Sequence, residues 1–310
     1  MSLAFVFPGQ GSQKVGMLAE FADVATVRDT YAEASAVLGY DLWALSQNGP
    51  QEELNMTEVT QPLLLTASVA LWRLWSEKGG ATPSLMAGHS LGEFSALVCA
   101  GVIEFADAVD LVRKRGQFMQ TAVPVGVGAM AAIIGLEDDQ VDAACASAAQ
   151  GECVNGVNYN SPGQVVIAGH AAAVDRAIAA CKEAGAKRAL PLPVSAPFHT
   201  DLMRPAGVEL AKVVEQMIFS APQIPVVHNV TVAPESDPAV IKSLVVDQIF
   251  SPVPWTQCVQ YMAAQGVSDT VECGAGKVLS GLNKRIEKSL NCYSTDAEAS
   301  LSGAVEALSA

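Results

Sequence analysis

The chain has 310 residues, of which 50% are hydrophobic and 16% are charged, a composition typical of a folded protein with a large buried core. Its formal net charge of −14 argues against a nucleic-acid-binding protein, whose contact surface would be basic. No apolar run is long enough to cross a membrane or to form a signal peptide, so we expect a cytoplasmic protein that contacts no membrane.

In chain order, the first elements alternate between strands and helices. The apolar run 3–7 ends at Pro8-Gly9 and predicts a buried strand. A second short strand is predicted over 84–88, and helical patterns cover 57–78, 93–100 and about 105–121. Such alternation is typical of an α/β fold with a mainly parallel sheet.

The pattern changes at Pro124. Strands are predicted over 128–136, 152–159, 164–169 and 186–192, and helices over 137–149 and 171–185. Their order, β-α-β-β-α-β, is the signature of a ferredoxin-like fold. We therefore predict a small ferredoxin-like subdomain, residues 125–194, inserted into a larger α/β domain formed by residues 1–124 and 195–310.

The last third of the chain is predicted to resume the larger domain. Helices are expected over 201–217, 239–250, 255–265 and 276–290, and strands over 224–230 and 267–274. The tail from Ser294 is rich in alanine and serine, and we expect it to be loosely held.

The cysteines, histidines and glycines indicate a protein without a metal or cofactor. The seven cysteines are widely spaced with no Cys-x-x-Cys pair, as expected of buried thiols in a reducing compartment. The four histidines show no metal-ligand spacing. The Gly-x-Gly-x-x-Ala stretch at 126–131 opens a predicted strand, whereas a dinucleotide-binding loop opens a helix.

The sequence G-H-S-L-G at 88–92 places Ser90 between a predicted strand and a predicted helix, which is the setting of a nucleophile elbow. Its glycines permit a strained turn, and the helix N-terminus favours developing negative charge. The amide of Leu91 points to where an oxyanion would form. We predict that Ser90 is a nucleophile; the alternative is a structural serine in a tight turn.

A serine hydroxyl needs a neighbouring base, and His199 is the candidate. It lies in a loop stiffened by Pro193 and Pro197, between a predicted strand and a predicted helix. Loops at strand ends carry much of the chemistry of α/β proteins. His228, at the end of another predicted strand, is the rival, and either histidine could instead be an ordinary structural residue.

Arg115 lies on the apolar face of its predicted helix. That face comprises Ala108, Leu111, Val112, Arg115, Phe118 and Met119. A buried guanidinium is costly unless an anion meets it. The anion is either an internal Asp or Glu or a substrate carboxylate held by two hydrogen bonds, and the pattern leaves both open. The loop P-G-Q-G-S-Q at 8–13 could add a second oxyanion donor.

Seven motifs in a fixed order give the chain a family resemblance. They are FPGQGSQ at 7–13, TQPLLLTAS at 60–68, GHSLGE at 88–93, RGQFMQ at 115–120, NSPGQVVIAG at 160–169, PFH at 197–199 and GAGKVLSGLNKRI at 274–286. Together they resemble the malonyl-CoA:acyl carrier protein transacylases of bacterial fatty acid synthesis, over the chain to about residue 290. The resemblance implies a hydrolase-like α/β core with an inserted ferredoxin-like subdomain.

The resemblance also implies a reaction. Ser90 would take the malonyl group from malonyl-CoA as an ester and pass it to the phosphopantetheine thiol of acyl carrier protein, in a ping-pong sequence. His199 would act as general base and then as general acid, oriented by the backbone carbonyl of Gln248 in place of the acid of a serine triad. The partners are malonyl-CoA and acyl carrier protein, no cofactor is needed, and we expect a monomer.

Further site residues follow from the same resemblance. The backbone amides of Gln10 and Leu91 would form the oxyanion hole, and Arg115 would pair with the malonyl carboxylate. Gln61, Asn160 and Phe198 would contribute to substrate binding. Stand-alone bacterial members often have Ser before the histidine, where this chain has Phe198. In the related polyketide acyltransferases, Phe at that position goes with malonyl rather than methylmalonyl.

Three other functions stay open at this point. A serine hydrolase with the same elbow would require an acid between the serine and the histidine in chain order, and no loop acid stands out. A non-catalytic carrier-protein-binding module is the second, and an acyltransferase of a polyketide or polyunsaturated-lipid pathway is the third. Because acyl carrier proteins are acidic like this chain, docking would need a local basic patch. The candidates are Lys187, Arg188, Lys284, Arg285 and Lys288.

Overall fold

The N-terminal apolar run forms the central strand of the larger sheet in the computed structural model, which describes residues 2–194 and 196–309. The first half of the chain folds as β1 (Ser2–Phe7), α1 (Ala25–Leu38), α2 (Leu42–Asn48), α3 (Gln51–Leu54), α4 (Thr57–Glu77), β2 (Leu85–Gly88), α5 (Leu91–Cys99), α6 (Phe105–Thr121), β3 (Gly128–Ile134), α7 (Asp138–Ala149) and β4 (Val154–Ser161). The strand predicted at 3–7 and the helices predicted at 57–78 and 105–121 are confirmed.

The second half continues with β5 (Gln164–His170), α8 (Ala171–Glu183), β6 (Arg188–Pro191), α9 (Arg204–Gln216), β7 (Val226–Val227), α10 (Pro238–Asp247), α11 (Trp255–Ala264), β8 (Val267–Glu272), α12 (Val278–Ile286), β9 (Asn291–Ser294) and α13 (Glu298–Leu308). Short 3-10 turns occur at Ala19–Phe21, Asp201–Met203 and Gln248–Phe250. No helix in the described ranges is both long enough and apolar enough to cross a membrane.

The larger sheet has the strand order β7-β2-β1-β8-β9, and every neighbouring pair is parallel. The register aligns Phe7 of β1 with Gly88 of β2, and Val6 with Glu272 of β8. The carboxyl ends of three central strands therefore meet at one edge. Ligands of open α/β sheets bind at this edge, and the loop after β1 and the turn after β2 both start there.

The smaller sheet is antiparallel, with the strand order β4-β5-β3-β6. Its elements follow the chain order β3, α7, β4, β5, α8, β6. A separate apolar cluster lies between this sheet and its two helices, with Ile133, Ile167 and Val174 among its most buried members. The isolated bridge between Asn158 and Val253 ties β4 to the larger unit.

The long helix α4 forms part of the core behind this edge of the sheet. It is buried along most of its length and packs against α1, α5 and α6. A helix that is apolar around most of its circumference lies inside a protein core. The polar side chains of Gln61 and Arg115, on α4 and α6, are therefore enclosed between two packed helices.

The prediction of a loosely held tail from Ser294 is wrong. β9 pairs with β8 up to the register Glu272 to Ser294, and α13 follows it. Leu301 and Ala304 are buried on the inner face of α13. Alanine has the highest helix propensity, and one leucine among small residues is enough to anchor a short amphipathic helix.

Three other boundaries differ from the sequence prediction. The strand expected at 224–230 is only Val226–Val227, because the chain turns inwards at His228. The helix expected at 239–250 ends at Asp247 and tightens into the 3-10 turn. The helix expected at 276–290 is Val278–Ile286, and in the segment that follows it the carbonyls of Lys288 and Leu290 accept from Lys284 Nζ. The helices α1 to α3 were not predicted.

Candidate active site

Ser90 occupies a strained turn between β2 and α5, with φ 51° and ψ −107°. The flanking glycines permit this turn because the backbone is crowded on both sides. A Cβ atom at Gly88 would clash with the backbone of Gly92, and one at Gly92 would clash with the carbonyl oxygen of Phe7. The turn therefore presents the Ser90 hydroxyl at the carboxyl edge of the sheet, as a nucleophile elbow does.

His199 lies within hydrogen-bond distance of this hydroxyl. Its Nε2 is 2.8 Å from Ser90 Oγ, while its Nδ1 lies 3.0 Å from the carbonyl oxygen of Gln248 and 3.1 Å from that of Ser251. Both oxygens can only accept, so the Nδ1 proton is donated to them. The Nε2 lone pair therefore faces the serine, which is the tautomer that a general base requires.

Burial determines the protonation state of His199. Removal from water, the largest cause, and the positive charge of Arg115 together lower the pKa of His199 to about 3. The two backbone carbonyls act in the opposite direction. The imidazole is therefore neutral at neutral pH and can accept a proton from Ser90.

Arg115 reaches the same point from α6 and is only 1% exposed. Its Nη2 lies 3.2 Å from Ser90 Oγ and 2.9 Å from Gln248 Oε1, and its Nη1 lies 2.9 Å from Gln61 Oε1. The guanidinium carbon lies 5.1 Å from the centre of the Phe94 ring. Within the described ranges, no carboxylate forms an ion pair with Arg115.

These contacts answer the question that the sequence left open about Arg115. Its direct partners are neutral oxygens, so its charge is not cancelled by an adjacent acid. Burial lowers the pKa of Arg115 to about 10, and the nearby charge of Glu93 opposes that shift. The group stays cationic at neutral pH and can meet an incoming anion next to the nucleophile.

Gln10 and Leu91 line the same cleft as Ser90. Leu91 is the first residue of α5, and Gln10 lies in the loop after β1, which is held against the elbow by the bond from His89 N to Phe7 O, at 3.0 Å. Neither amide donates to an acceptor in the part of the chain that the structure describes. Two free donors beside a nucleophile are suited to an oxyanion.

A cleft of about 1020 Å³, counted to its solvent-open mouth, connects these groups. Eight of the sequence-predicted site residues line it: Gln10, Gln61, Ser90, Leu91, Arg115, Asn160, Phe198 and His199. Gln248 lies fully buried behind the cleft and contacts both His199 and Arg115. The structure therefore brings all nine predicted residues together.

The other histidines are not at the reacting hydroxyl. His89 also lines the cleft, but its Nε2 lies 2.8 Å from Asn160 Oδ1 and its ring packs against Trp255. His228, the rival base, is fully buried and bonds through Nδ1 to Glu93 Oε1 at 2.7 Å. Among the described residues, no three His, Cys, Asp or Glu side chains are placed to hold a metal ion.

Two residues of the site, Glu93 and Asn229, were not identified from the sequence. His228 was considered only as a rival base, whereas the structure places it against Glu93. Asn229 Oδ1 accepts from the amide of Ser90 at 3.0 Å, and its Nδ2 donates to the carbonyl of Gly88 at 2.8 Å. Glu93 is the single charge in the otherwise apolar helix α5. A charged residue in a helix of this composition indicates a buried polar contact, because its carboxylate must find partners inside the core.

The predicted basic patch is only partly free. Lys284 Nζ donates to the carbonyls of Lys288 and Leu290 at 2.7 and 2.8 Å, so it is engaged with the segment that follows α12. Arg285 is exposed and donates to Gln164 Oε1 at 3.0 Å, beside the mouth of the cleft. Lys187, Arg188 and Lys288 are exposed as well, and Arg285 differs from them in its position beside the cleft.

Comparisons with known proteins give the class of the chain. A family model described as an acyl transferase domain matches residues 4–292. The chain is 62% identical over 303 residues to the malonyl CoA-acyl carrier protein transacylase of Salmonella typhimurium (strain LT2), covering 97% of this chain and 98% of the relative. The chain therefore belongs to the acyl transferase family and is an acyltransferase.

Two solved structures are similar to this chain over nearly its full length. An acyl carrier protein S-malonyltransferase from Vibrio cholerae has 61% identity and a TM-score of 0.96, covering 98% of this chain and 99% of that one. A malonyl-transacylase in complex with a type II PKS acyl-carrier protein has 57% identity and a TM-score of 0.98, covering 99% and 100%. The resemblance to malonyl-CoA:acyl carrier protein transacylases, predicted from the ordered motifs, is confirmed.

Proposed function

We propose that this acyltransferase moves a malonyl group from malonyl-CoA to the phosphopantetheine thiol of an acyl carrier protein, through an ester on Ser90, and so supplies chain elongation in fatty acid synthesis. One observation carries the proposal. An arginine without an acid partner lies 3.2 Å from a serine hydroxyl that is itself 2.8 Å from a neutral histidine. The names of the Salmonella and Vibrio relatives support the same activity.

In the first half-reaction, His199 Nε2 takes the hydroxyl proton while Ser90 Oγ attacks the thioester carbonyl carbon of malonyl-CoA. The carbonyl oxygen becomes an oxyanion and accepts hydrogen bonds from the amides of Gln10 and Leu91. As the carbon–sulfur bond breaks, the CoA thiolate leaves and takes the proton from His199. The products are malonyl-Ser90 and free CoA.

The second half-reaction reverses these steps with a new thiol. His199 takes the proton of the phosphopantetheine thiol, and the sulfur attacks the ester carbonyl of malonyl-Ser90. The same two amides, from Gln10 and Leu91, receive the oxyanion. The carbon–oxygen bond breaks, Ser90 Oγ recovers its proton from His199, and the malonyl thioester of the carrier protein is released.

Arg115 supplies the selectivity in this proposal. Malonyl differs from acetyl by one carboxylate, and the guanidinium can meet that carboxylate with a forked pair of hydrogen bonds. Gln61 and Gln248 hold the guanidinium from behind through their amide oxygens. Phe198 and Asn160 form part of the wall of the cleft, which limits the size of the acyl group.

The division into units is part of the proposal. We infer a hydrolase-like α/β core from residues 1–124 and 195–310, with a ferredoxin-like subdomain over 125–194. The strand order β4-β5-β3-β6, all antiparallel, and the separate apolar cluster under this sheet support it. The cytoplasmic location and the monomeric state stay predictions from the sequence.

Intact-mass spectrometry tests the proposed reaction. Malonyl-CoA alone should add one malonyl group to the protein, peptide mapping should place it on Ser90, and holo acyl carrier protein should then remove it. The Ser90→Ala variant should fold normally and take no label. Labelling at another residue would contradict the role of Ser90, and steady release of free malonate without any acceptor would indicate a hydrolase.

A further inference from the structure

Glu93 is a buried acid that the proposed chemistry does not use. It lies in the first turn of α5, three residues after Ser90, and is fully buried. Its carboxylate accepts three hydrogen bonds: from His228 Nδ1 at 2.7 Å, from the amide of Asn229 at 3.0 Å and from Gln248 Nε2 at 2.7 Å. A buried carboxylate is costly to desolvate, so a cluster of this kind calls for an explanation.

Two partners of Glu93 hold the strained turn at Ser90. Asn229 accepts from the Ser90 amide at 3.0 Å, and Gln248 Nε2 donates to the Ser90 carbonyl at 3.0 Å. The Ser90 backbone is therefore bound on both sides by residues that Glu93 holds in turn, Gln248 through its side-chain amide and Asn229 through its backbone N–H. A non-glycine residue with positive φ persists only where surrounding contacts determine it.

Glu93 also determines the orientation of the Gln248 side-chain amide. A carboxylate can only accept hydrogen bonds, so the Gln248 NH2 group must face Glu93. The oxygen of the same amide then faces Arg115, 2.9 Å from Nη2. If the amide turned over, its NH2 group would face the guanidinium and repel it. Glu93 thus sets which end of Gln248 reaches Arg115.

We propose that Glu93 is a positioning residue for acyl transfer. Through Gln248 and Asn229 it holds the Ser90 turn and directs an amide oxygen at Arg115, so the guanidinium is held in place without a directly paired acid. A carboxylate in direct contact with Arg115 would compete with the substrate carboxylate, whereas an amide between them does not. This inference rests on the proposed function, because it assigns Arg115 to the malonyl group.

The test compares Glu93→Gln with the wild-type protein in the acylation half-reaction. Single-turnover rates of Ser90 labelling are measured with malonyl-CoA and with acetyl-CoA, at several concentrations of each. The matched control is Glu104→Gln, which removes the same charge from an exposed position at the start of α6. Circular dichroism and thermal melting show whether each variant is folded.

We expect Glu93→Gln to slow malonyl labelling by about 10- to 100-fold and acetyl labelling by less, so that the malonyl-to-acetyl ratio falls. Glu104→Gln should leave both rates and the ratio unchanged. An electrostatic effect alone predicts the opposite sign, since removing a negative charge near Arg115 would strengthen attraction of the malonyl anion. A ratio that stays the same or rises in Glu93→Gln overturns the positioning role.

Gln248→Met gives a second measurement that does not depend on the stability of the Glu93 variant. It removes the amide between Glu93 and Arg115 but keeps the backbone carbonyl that contacts His199. We expect the same fall in the ratio, and no further fall when Glu93→Gln is added, because coupled residues are not additive. Additive effects would contradict the inference. Absence of label on wild-type Ser90 would instead contradict the proposed function itself.

Discussion

Replacing Arg115 by alanine is the sharpest test of how this protein would choose malonyl over acetyl. The guanidinium is 1% exposed and bonds only neutral oxygens, so a bound carboxylate would become its one ionic partner. Breaking a buried ion pair by removing one member costs roughly 3–5 kcal/mol. At about 1.4 kcal/mol per tenfold change, the wild-type preference in kcat/KM should be on the order of 10²–10³ or more.

Arg115→Ala should remove most of that preference. Malonyl labelling should fall by about the same 10²–10³, while acetyl labelling changes little or rises, since the uncompensated charge is gone. Arg115→Lys should recover little malonyl activity, because one ammonium group cannot bond Gln61, Gln248 and a carboxylate in a forked geometry. The assay is competition between malonyl-CoA and acetyl-CoA for Ser90, followed by mass spectrometry.

The same helix supplies matched controls. Arg113 and Lys114 lie on the outer side of α6 and form ion pairs with Asp110 at 3.1 and 2.6 Å. Alanine at either position should leave the malonyl-to-acetyl ratio unchanged, because these ion pairs are partly exposed and contribute little. If Arg115→Ala folds and keeps the wild-type ratio, the arginine is structural and the proposed basis of selectivity is refuted.

Three further expectations follow from the site. His199→Ala should slow Ser90 labelling by roughly 10²–10⁴, the usual contribution of a general base, and a smaller loss would point to another base. Because burial lowers the pKa of His199 to about 3 from its ordinary 6.5, the neutral base persists as the pH falls. The labelling rate should then stay level from about pH 8 to about pH 5, and a fall centred near 6.5 would contradict this protonation state. Arg285→Glu should raise the KM for acyl carrier protein and leave labelling by malonyl-CoA unchanged, whereas the exposed control Lys212→Glu should alter neither. Equal losses in both half-reactions of Arg285→Glu would indicate misfolding.

The parts of the site that could be predicted are those that local rules determine. Ser90 was found because a strained strand-to-helix turn needs glycines at fixed neighbouring positions. Arg115 was found because helical periodicity places it among apolar residues. The pairing of His199 with Ser90 came from the family resemblance, since spacing alone left His228 as a rival.

The parts that could not be predicted depend on contacts between distant segments. Glu93 and His228 are 135 positions apart, and Asn160 reaches His89 from a different sheet, so no local pattern reports either contact. Helices α1 to α3 are short, and short helices depend on tertiary packing: α1 and α3 pack on α4, and α2 packs on α1. The tail after Ser294 was misjudged for the same reason, because its anchoring is tertiary.

The two main-chain carbonyls that contact His199 have a consequence for the reversibility of the proposed reaction. In the proposed reaction the imidazolium has no adjacent carboxylate to stabilise it, because peptide oxygens carry no net charge. Its proton would therefore be released readily to the departing thiolate. Exchange of one thioester for another changes little in bond energy. Such a reaction benefits from a base that releases its proton readily in both the forward and the reverse transfer. Peptide oxygens also do not titrate, and no side-chain substitution deletes them. The orientation of the His199 imidazole therefore depends on the backbone conformation at Gln248 and Ser251.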